Sequence, residues 1–137
     1  MEEKRNISVL IPYKIKEKEI FVFLQKREKD RKVLPGHFAF FGGKIEEGES
    51  PEQGLKREIQ EELCFTPQGY DFFNQYLFDD WTGNVYILEV DDSFESKIKV
   101  MEGEYGKFFS QQEVLNESMI IDHDKNILED LYKKLKN

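Results

Sequence analysis

The chain has 137 residues, 39% hydrophobic and 35% charged, a balance that suits a domain with a real core and a well-solvated surface. Its net charge of −8 argues against general attraction to DNA, RNA or acidic lipid, and no apolar run approaches the roughly 18 residues that span a bilayer. A single cysteine, Cys64, excludes an internal disulfide and a multi-cysteine zinc site, and the polar start MEEKRN lacks the apolar stretch of a signal peptide, so one cytoplasmic domain over 1–137 is expected.

Residues 7–13, ISVLIPY, and 20–26, IFVFLQK, are short and rich in β-branched and aromatic side chains, which predicts two strands. The polar KIKEKE between them suits the turn of a hairpin. Residues 27–37, REKDRKVLPGH, carry charges and a Pro-Gly pair and predict a loop. The cluster Lys26, Arg27, Lys29, Arg31 and Lys32 is either a solvated loop or a local basic patch. FAFFGG follows as a strand running into the Gly42-Gly43 corner.

Ser50 is placed to cap a helix, Pro51 fits its first position, and Gln53 completes a capping box. Leu55, Ile59 and Leu63 recur every four residues as its buried stripe, and the helix should end near Leu63 or Cys64, before Pro67. Strands are expected around 84–90 and 105–109. A capping box at Ser110 and Glu113 opens a short helix to about Asn116. A last helix from about Asp124 to Lys136 gathers Ile127, Leu128, Leu131, Tyr132 and Leu135 on one face. Interleaved strands and helices predict an α/β (α+β) layered domain.

Within the first helix, Glu58, Glu61 and Glu62 share one face beside the apolar stripe. Like charges so spaced destabilise a helix by roughly 0.2–0.5 kcal/mol per pair, and Arg57 can offset part of this at Glu61. Taken alone, such a face is either a solvated acidic surface or a ligand set. Upstream lie Gly42-Gly43, which lets a backbone approach a ligand closely, and Glu46, Glu47 and Glu49. Carboxylates with a backbone carbonyl are the donors that hard divalent cations prefer.

Residues 43–65, GKIEEGESPEQGLKREIQEELCF, resemble the box of the Nudix hydrolases, G-x5-E-x7-R-E-U-x-E-E-x-G-U, where U is a bulky aliphatic residue. Gly43, Glu49, Arg57-Glu58, Ile59, Glu61-Glu62 and the final apolar Phe65 fill its places. There are two departures. Cys64 stands where the family has Gly, and a left-handed residue with a Cβ costs on the order of 1 kcal/mol, so the helix is expected to end differently. Phe41 replaces the Pro often found before the Gly pair.

The resemblance implies the Nudix fold, an α/β/α sandwich with a mixed β-sheet, and metal-dependent hydrolysis of a pyrophosphate bond in a nucleoside diphosphate linked to X. A MutT-like nucleoside triphosphate substrate leads. Nucleotide sugars, ADP-ribose and dinucleoside polyphosphates follow, with a non-catalytic nucleotide-binding domain as a further alternative. By position, Glu58, Glu61 and Glu62 would hold Mg²⁺ (or Mn²⁺), helped by the Gly42 carbonyl. Glu58, Arg57 and Glu61 form the catalytic set, with Glu58 as the base. Arg57 would orient carboxylates, Glu49 among them, or serve as a plain helix salt bridge. A later acid can join the metal: Glu104 is preferred over Glu102, then Asp79 or Asp80, and a solvated turn is the bland alternative.

Arg27 and Lys44 are the candidate substrate contacts, with surface placement as the alternative. Phe38, Trp81 and Tyr86 either stack a base or fill the core. His37 and His123 receive no role, and Cys64 reads as a small packed residue. The expected partner is a small nucleotide, not a nucleic-acid polymer or a membrane, and a homodimer is compatible with the resemblance.

Overall fold

The computed structural model describes residues 5–136. In chain order it contains β1 (Arg5–Lys16), β2 (Glu19–Lys26), β3 (Phe38–Ala39), β4 (Phe41–Lys44), α1 (Pro51–Leu63), β5 (Asp71–Leu77), β6 (Trp81–Glu89), α2 (Phe94–Lys97), β7 (Tyr105–Ser110), α3 (Gln111–Asn116) and α4 (Asp122–Lys136). The strands form one mixed sheet. Strand β1 runs parallel to β6 and antiparallel to both β2 and β4, while β2 also pairs with β3 and β7.

Alternation along the strands divides the core into two layers. Leu10, Phe23, Tyr86 and Leu88 point to the face covered by Leu55, Ile59 and Leu63 of α1. Their neighbours Val9, Ile11, Val22, Leu24, Val85 and Ile87 point to the opposite face, against Ile127, Leu128, Leu131 and Tyr132 of α4. The apolar stripe of α1 is fully buried, and each such side chain stabilises by on the order of 2 kcal/mol. The arrangement is an α/β/α sandwich, and it explains the near-continuous apolar runs in the inner strands: both faces are covered.

Several elements differ from the sequence reading for local reasons. The first hairpin is longer than expected, because Lys14–Lys16 pair with Glu19–Phe21 and the turn shrinks to Glu17 and Lys18, both at positive φ. FAFFGG is two short strands: Phe38–Ala39 pairs with β2, whereas Phe41–Lys44 crosses to β1. Strand β5 escaped pattern reading because it is an exposed edge strand whose register shifts between Phe72 and Asn74, which breaks its alternation. Helix α2, four residues long, is too short to show a period. Helix α4 starts at Asp122, two residues before the expected Asp124.

Helix α1 begins as its sequence dictates. Ser50 accepts from the Gln53 backbone N–H, and the Gln53 side chain accepts from the Ser50 N–H. Its end corrects an expectation. Cys64 does not force a different termination; it takes the left-handed conformation itself, with φ 51° and ψ 41°, and its N–H donates to the Gln60 carbonyl. Nor is it packed, since its thiol is free and exposed. Hydrogen bonds from Lys99 N–H to the Leu63 carbonyl and from Met101 N–H to the Glu62 carbonyl hold this turn against the following segment. The Cys64→Gly variant should therefore be more stable by up to about 0.5 kcal/mol, the relief at a left-handed residue less the added freedom of the unfolded chain. Thermal unfolding followed by circular dichroism checks this; a lower Tm would contradict it.

Candidate active site

The guanidinium of Arg57 organises the approach to α1. Its Nε and Nη2 donate to the two oxygens of Glu49 at 2.8 and 3.0 Å, a bidentate clasp, and Nη2 also donates to the Lys44 carbonyl at 3.0 Å. Nη1 donates to Glu58 at 3.0 Å and reaches Glu61 at 3.5 Å. This one side chain fastens the 44–49 loop to the helix and touches two of the three helical glutamates. The Arg57 hydrogen bonds hold the Glu49 carboxyl below its usual range.

The three glutamates differ sharply in setting. Glu61 is exposed, Glu58 is mostly covered, and Glu62 is only 3% exposed. Glu62 Oε1 accepts from the Gly42 N–H at 2.7 Å, and Oε2 accepts from the Gln25 side-chain amide at 3.4 Å. Burial pushes the Glu62 carboxyl up to about 8; the charges of Glu102 and Glu58 push the same way, and the Gly42 N–H opposes them. Burial also raises Glu58, against the pull of Arg57.

The Gly pair is a packing requirement here. Gly42 sits at φ 137°, and a Cβ there would run into the Ser8 carbonyl oxygen and lie 2.7 Å from Val9 Cα. A Cβ on Gly43 would meet the Glu58 carboxylate instead, 2.6–2.8 Å from its atoms. The first glycine lets β4 lie against β1. The second leaves room for a carboxylate.

Among the later acids, Glu102 is the one whose charge raises both Glu58 and Glu62. Glu102 and Glu104 are both exposed, Glu104 just ahead of β7 with its N–H donating to the Lys26 carbonyl; the charge effect on both helical acids makes Glu102 the stronger candidate of the two. Asp79 and Asp80 lie in the exposed turn between β5 and β6, where the Asp80 carbonyl accepts from the Arg5 N–H.

On the far side of Gly42 and Gly43 opens a cavity of about 320 Å³, lined on one wall by Val9, Phe40 and Val85 and on another by Trp81, Ile121, His123, Asp124 and Ile127. Arg27 lies at its edge, its Nε donating to the Val33 carbonyl at 3.1 Å, and burial lowers its pKa. Lys44 is exposed and outside the cavity. Trp81 stacks on Phe78 at 4.1 Å, and His123 stacks on the same ring at 4.6 Å. Phe38 and Tyr86 are core residues, 6% and 4% exposed. His37 contacts the Pro35 carbonyl through Nδ1.

Sequence reading passed over Asp124. It is 8% exposed, faces the cavity, and burial alone pushes its carboxyl up to about 7. A charged residue at an inward position of an otherwise apolar helix face, next to Ile127 and Leu128, was the available signal.

The donor set suits a hard divalent cation, since Glu58, Glu62 and Glu102 are oxygen ligands whose mutual repulsion a cation would relieve. Among the described residues no three acids or histidines are already drawn around one point. Glu62 is turned toward Gly42 and Glu58 toward Arg57.

Comparison with known proteins agrees with this architecture. The chain matches the NUDIX domain family over residues 4–131. It is 35% identical to the 8-oxo-dGTP diphosphatase of Escherichia coli K12 over 91 residues, covering 65% of this chain and 69% of that protein. A stretch of 40 residues is 52% identical to the nucleoside triphosphatase NudI of Enterobacter sp. strain 638, covering 29% of this chain and 28% of that one. In structure it superposes on the NUDIX domain of Shewanella oneidensis NrtR complexed with ADP ribose with a TM-score of 0.79 at 16% identity, over 98% of this chain and 90% of that one. A MutT structure from a comparison of Aliivibrio salmonicida and Vibrio cholerae gives 0.76 at 23% identity, over 96% and 99% of the two chains. The chain belongs to the Nudix family, whose members hydrolyse pyrophosphate bonds.

Two outcomes test the site geometry. Gly43→Ala should lower hydrolytic activity by about 10–100-fold by displacing the Glu58 carboxylate, with stability within about 1 kcal/mol of the parent; full activity would mean that Glu58 need not sit there. For Glu62, the folded-state pKa lies above the unfolded one, so its stabilising contribution is present below about 4.5 and lost as pH rises through about 8. In metal-free buffer Glu62→Gln should therefore unfold at a higher temperature than the parent above pH 8, with the gap closing toward pH 4. Equal Tm values at pH 9 would contradict a buried, strained carboxylate.

Proposed function

We propose that this chain is a metal-dependent pyrophosphohydrolase acting on a nucleoside triphosphate. One observation carries the reading: Gly42 and Gly43 stand between the Glu58 and Glu62 carboxylates of α1 and a cavity sized for a nucleoside. A substrate lying across the Gly pair would present its phosphates to Glu58, Glu61, Glu62 and Glu102 and its base to the other side. A protein with net charge −8 would otherwise repel a polyphosphate. Bound Mg²⁺ or Mn²⁺ supplies charge neutralisation and an acidified water. The Gly42 carbonyl and the three helical glutamates are its proposed holders. Glu58, raised by burial yet kept oriented by Arg57, is suited to accept the water proton.

At the organic end, Asp124 provides a directional polar contact in an otherwise largely apolar chamber, Trp81 and Phe40 offer flat surface, and Arg27 stands at the rim. The names of the Escherichia coli and Enterobacter relatives, an 8-oxo-dGTP diphosphatase and a nucleoside triphosphatase, support triphosphates as the first class to try. ADP ribose in the NrtR complex keeps that ligand as the second. The reading takes 1–137 as one domain working in the cytoplasm; a free exposed thiol suits that compartment, and among the described residues no helix is long and apolar enough to cross a membrane.

The test is release of phosphate or pyrophosphate from triphosphates, oxidised triphosphates, nucleotide sugars, ADP-ribose and dinucleoside polyphosphates, with Mg²⁺, Mn²⁺ or EDTA. Turnover of triphosphates, lost in EDTA and in Glu62→Gln, is the expected result. Silence across the panel from a protein that still binds nucleotide would turn the reading into a binding module.

A further inference from the structure

Residues 99–104 carry Glu102 but belong to no helix or strand, so something must hold that acid beside α1. Two anchors come from α1 itself: Lys99 N–H donates to the Leu63 carbonyl at 2.9 Å and Met101 N–H to the Glu62 carbonyl at 2.7 Å. The remaining anchors come from the end of β2 and the residues after it. Gln25, only 4% exposed, donates its amide to the Glu102 carbonyl at 2.9 Å, and the same nitrogen lies 3.4 Å from Glu62 Oε2. Glu28 accepts from the Gly103 N–H at 2.6 Å, and the Glu104 N–H donates to the Lys26 carbonyl at 2.8 Å. Gly103, at φ 83°, lies so close that a Cβ there would meet the Lys26 carbonyl oxygen at 2.7 Å and Gln25 Cγ at 2.8 Å.

A single amide nitrogen thus touches both the buried carboxylate of α1 and the backbone of the acid that joins it. Apolar residues occupy the preceding buried positions of β2, Phe23 and Leu24, and one could stand at position 25 on packing grounds alone. A buried amide is costly unless satisfied, and this one spends its donors on the two halves of the carboxylate cluster. We propose that Gln25 is a positioning residue that sets the spacing between Glu62 and the segment bearing Glu102, with Glu28 as its second fastening, and thereby tunes how tightly the cluster takes a divalent cation. The inference rests on the metal-dependent reading above. Orienting groups of this kind change metal affinity by about 10–100-fold when removed.

The test is Mn²⁺ binding to the nucleotide-free protein, followed by the loss of the free-ion electron paramagnetic resonance signal. Gln25→Met keeps the volume and removes both donors, so its Kd for Mn²⁺ should rise by about 10-fold or more while circular dichroism shows a folded protein. Should that variant fold poorly, the half-buried Glu28 offers an independent arm. Glu28→Ala should weaken Mn²⁺, and Glu28→Gln, which keeps an acceptor for the Gly103 N–H, should restore binding to near the parent value. Parent-like Mn²⁺ affinity in Gln25→Met, or in Glu28→Ala where Gln25→Met does not fold, overturns the assignment and leaves the hydrolase reading standing. A parent protein that takes up no Mn²⁺ overturns both.

Discussion

The hydrogen bond from the Gly42 N–H to Glu62, 2.7 Å long, joins the carboxylate helix to the sheet, and much of the site depends on it. It requires β4 to lie close under α1, which the Gly42 backbone at φ 137° permits and a side chain would block. It requires the Glu62 side chain to be buried, which the Leu55, Ile59 and Leu63 stripe enforces by fixing the rotation of the helix. Given that rotation, Glu58 falls over Gly43, one turn earlier, and Glu61 faces outward. Hydrophobic burial sets the helix; the helix then has no choice about where its acids go.

The arrangement is electrostatically unfavourable by itself. Burial and neighbouring negative charge both raise Glu62, and the Arg57 guanidinium is directed to Glu49, Glu58 and Glu61. A domain held by two apolar layers can tolerate such local strain, and it is at sites that bind and transform ligands that natural proteins retain it. The Arg57–Glu49 clasp limits the damage differently: it orders the acidic 44–49 loop so that the approach to the helix is defined even while the carboxylates repel.

The cavity depends on the same strands from their other face. Val9 and Val85 are central residues of β1 and β6, and the α4 layer closes over them without filling the space next to Gly42 and Gly43. Starting α4 at Asp122 turns Asp124 inward beside Ile127, so a helix that serves as a structural cover elsewhere contributes a polar group at its first turn.

What the sequence determined by itself was local in origin. The limits of α1 follow from the Ser50–Gln53 box, Pro51 and a four-residue apolar repeat, and the Gly pair and glutamates could be placed on one strand end and one helix by spacing alone. A layered α/β domain followed from the interleaving of strands and helices, and the α/β/α sandwich from the resemblance of residues 43–65. Tertiary structure alone decided the rest. The segment bearing Glu102 lies against α1 because hydrogen bonds with Gln25, Glu28 and the end of that helix pin a stretch without regular structure. Strand β5, an edge with a register shift, has no period to read. Cys64 adopts a left-handed turn despite its Cβ, since the surrounding backbone bonds outweigh a penalty of about 1 kcal/mol. Asp124 comes to line one cavity with Gly42 and Trp81 only after the sheet has assembled, and no local pattern encodes a cavity walled by three separate elements.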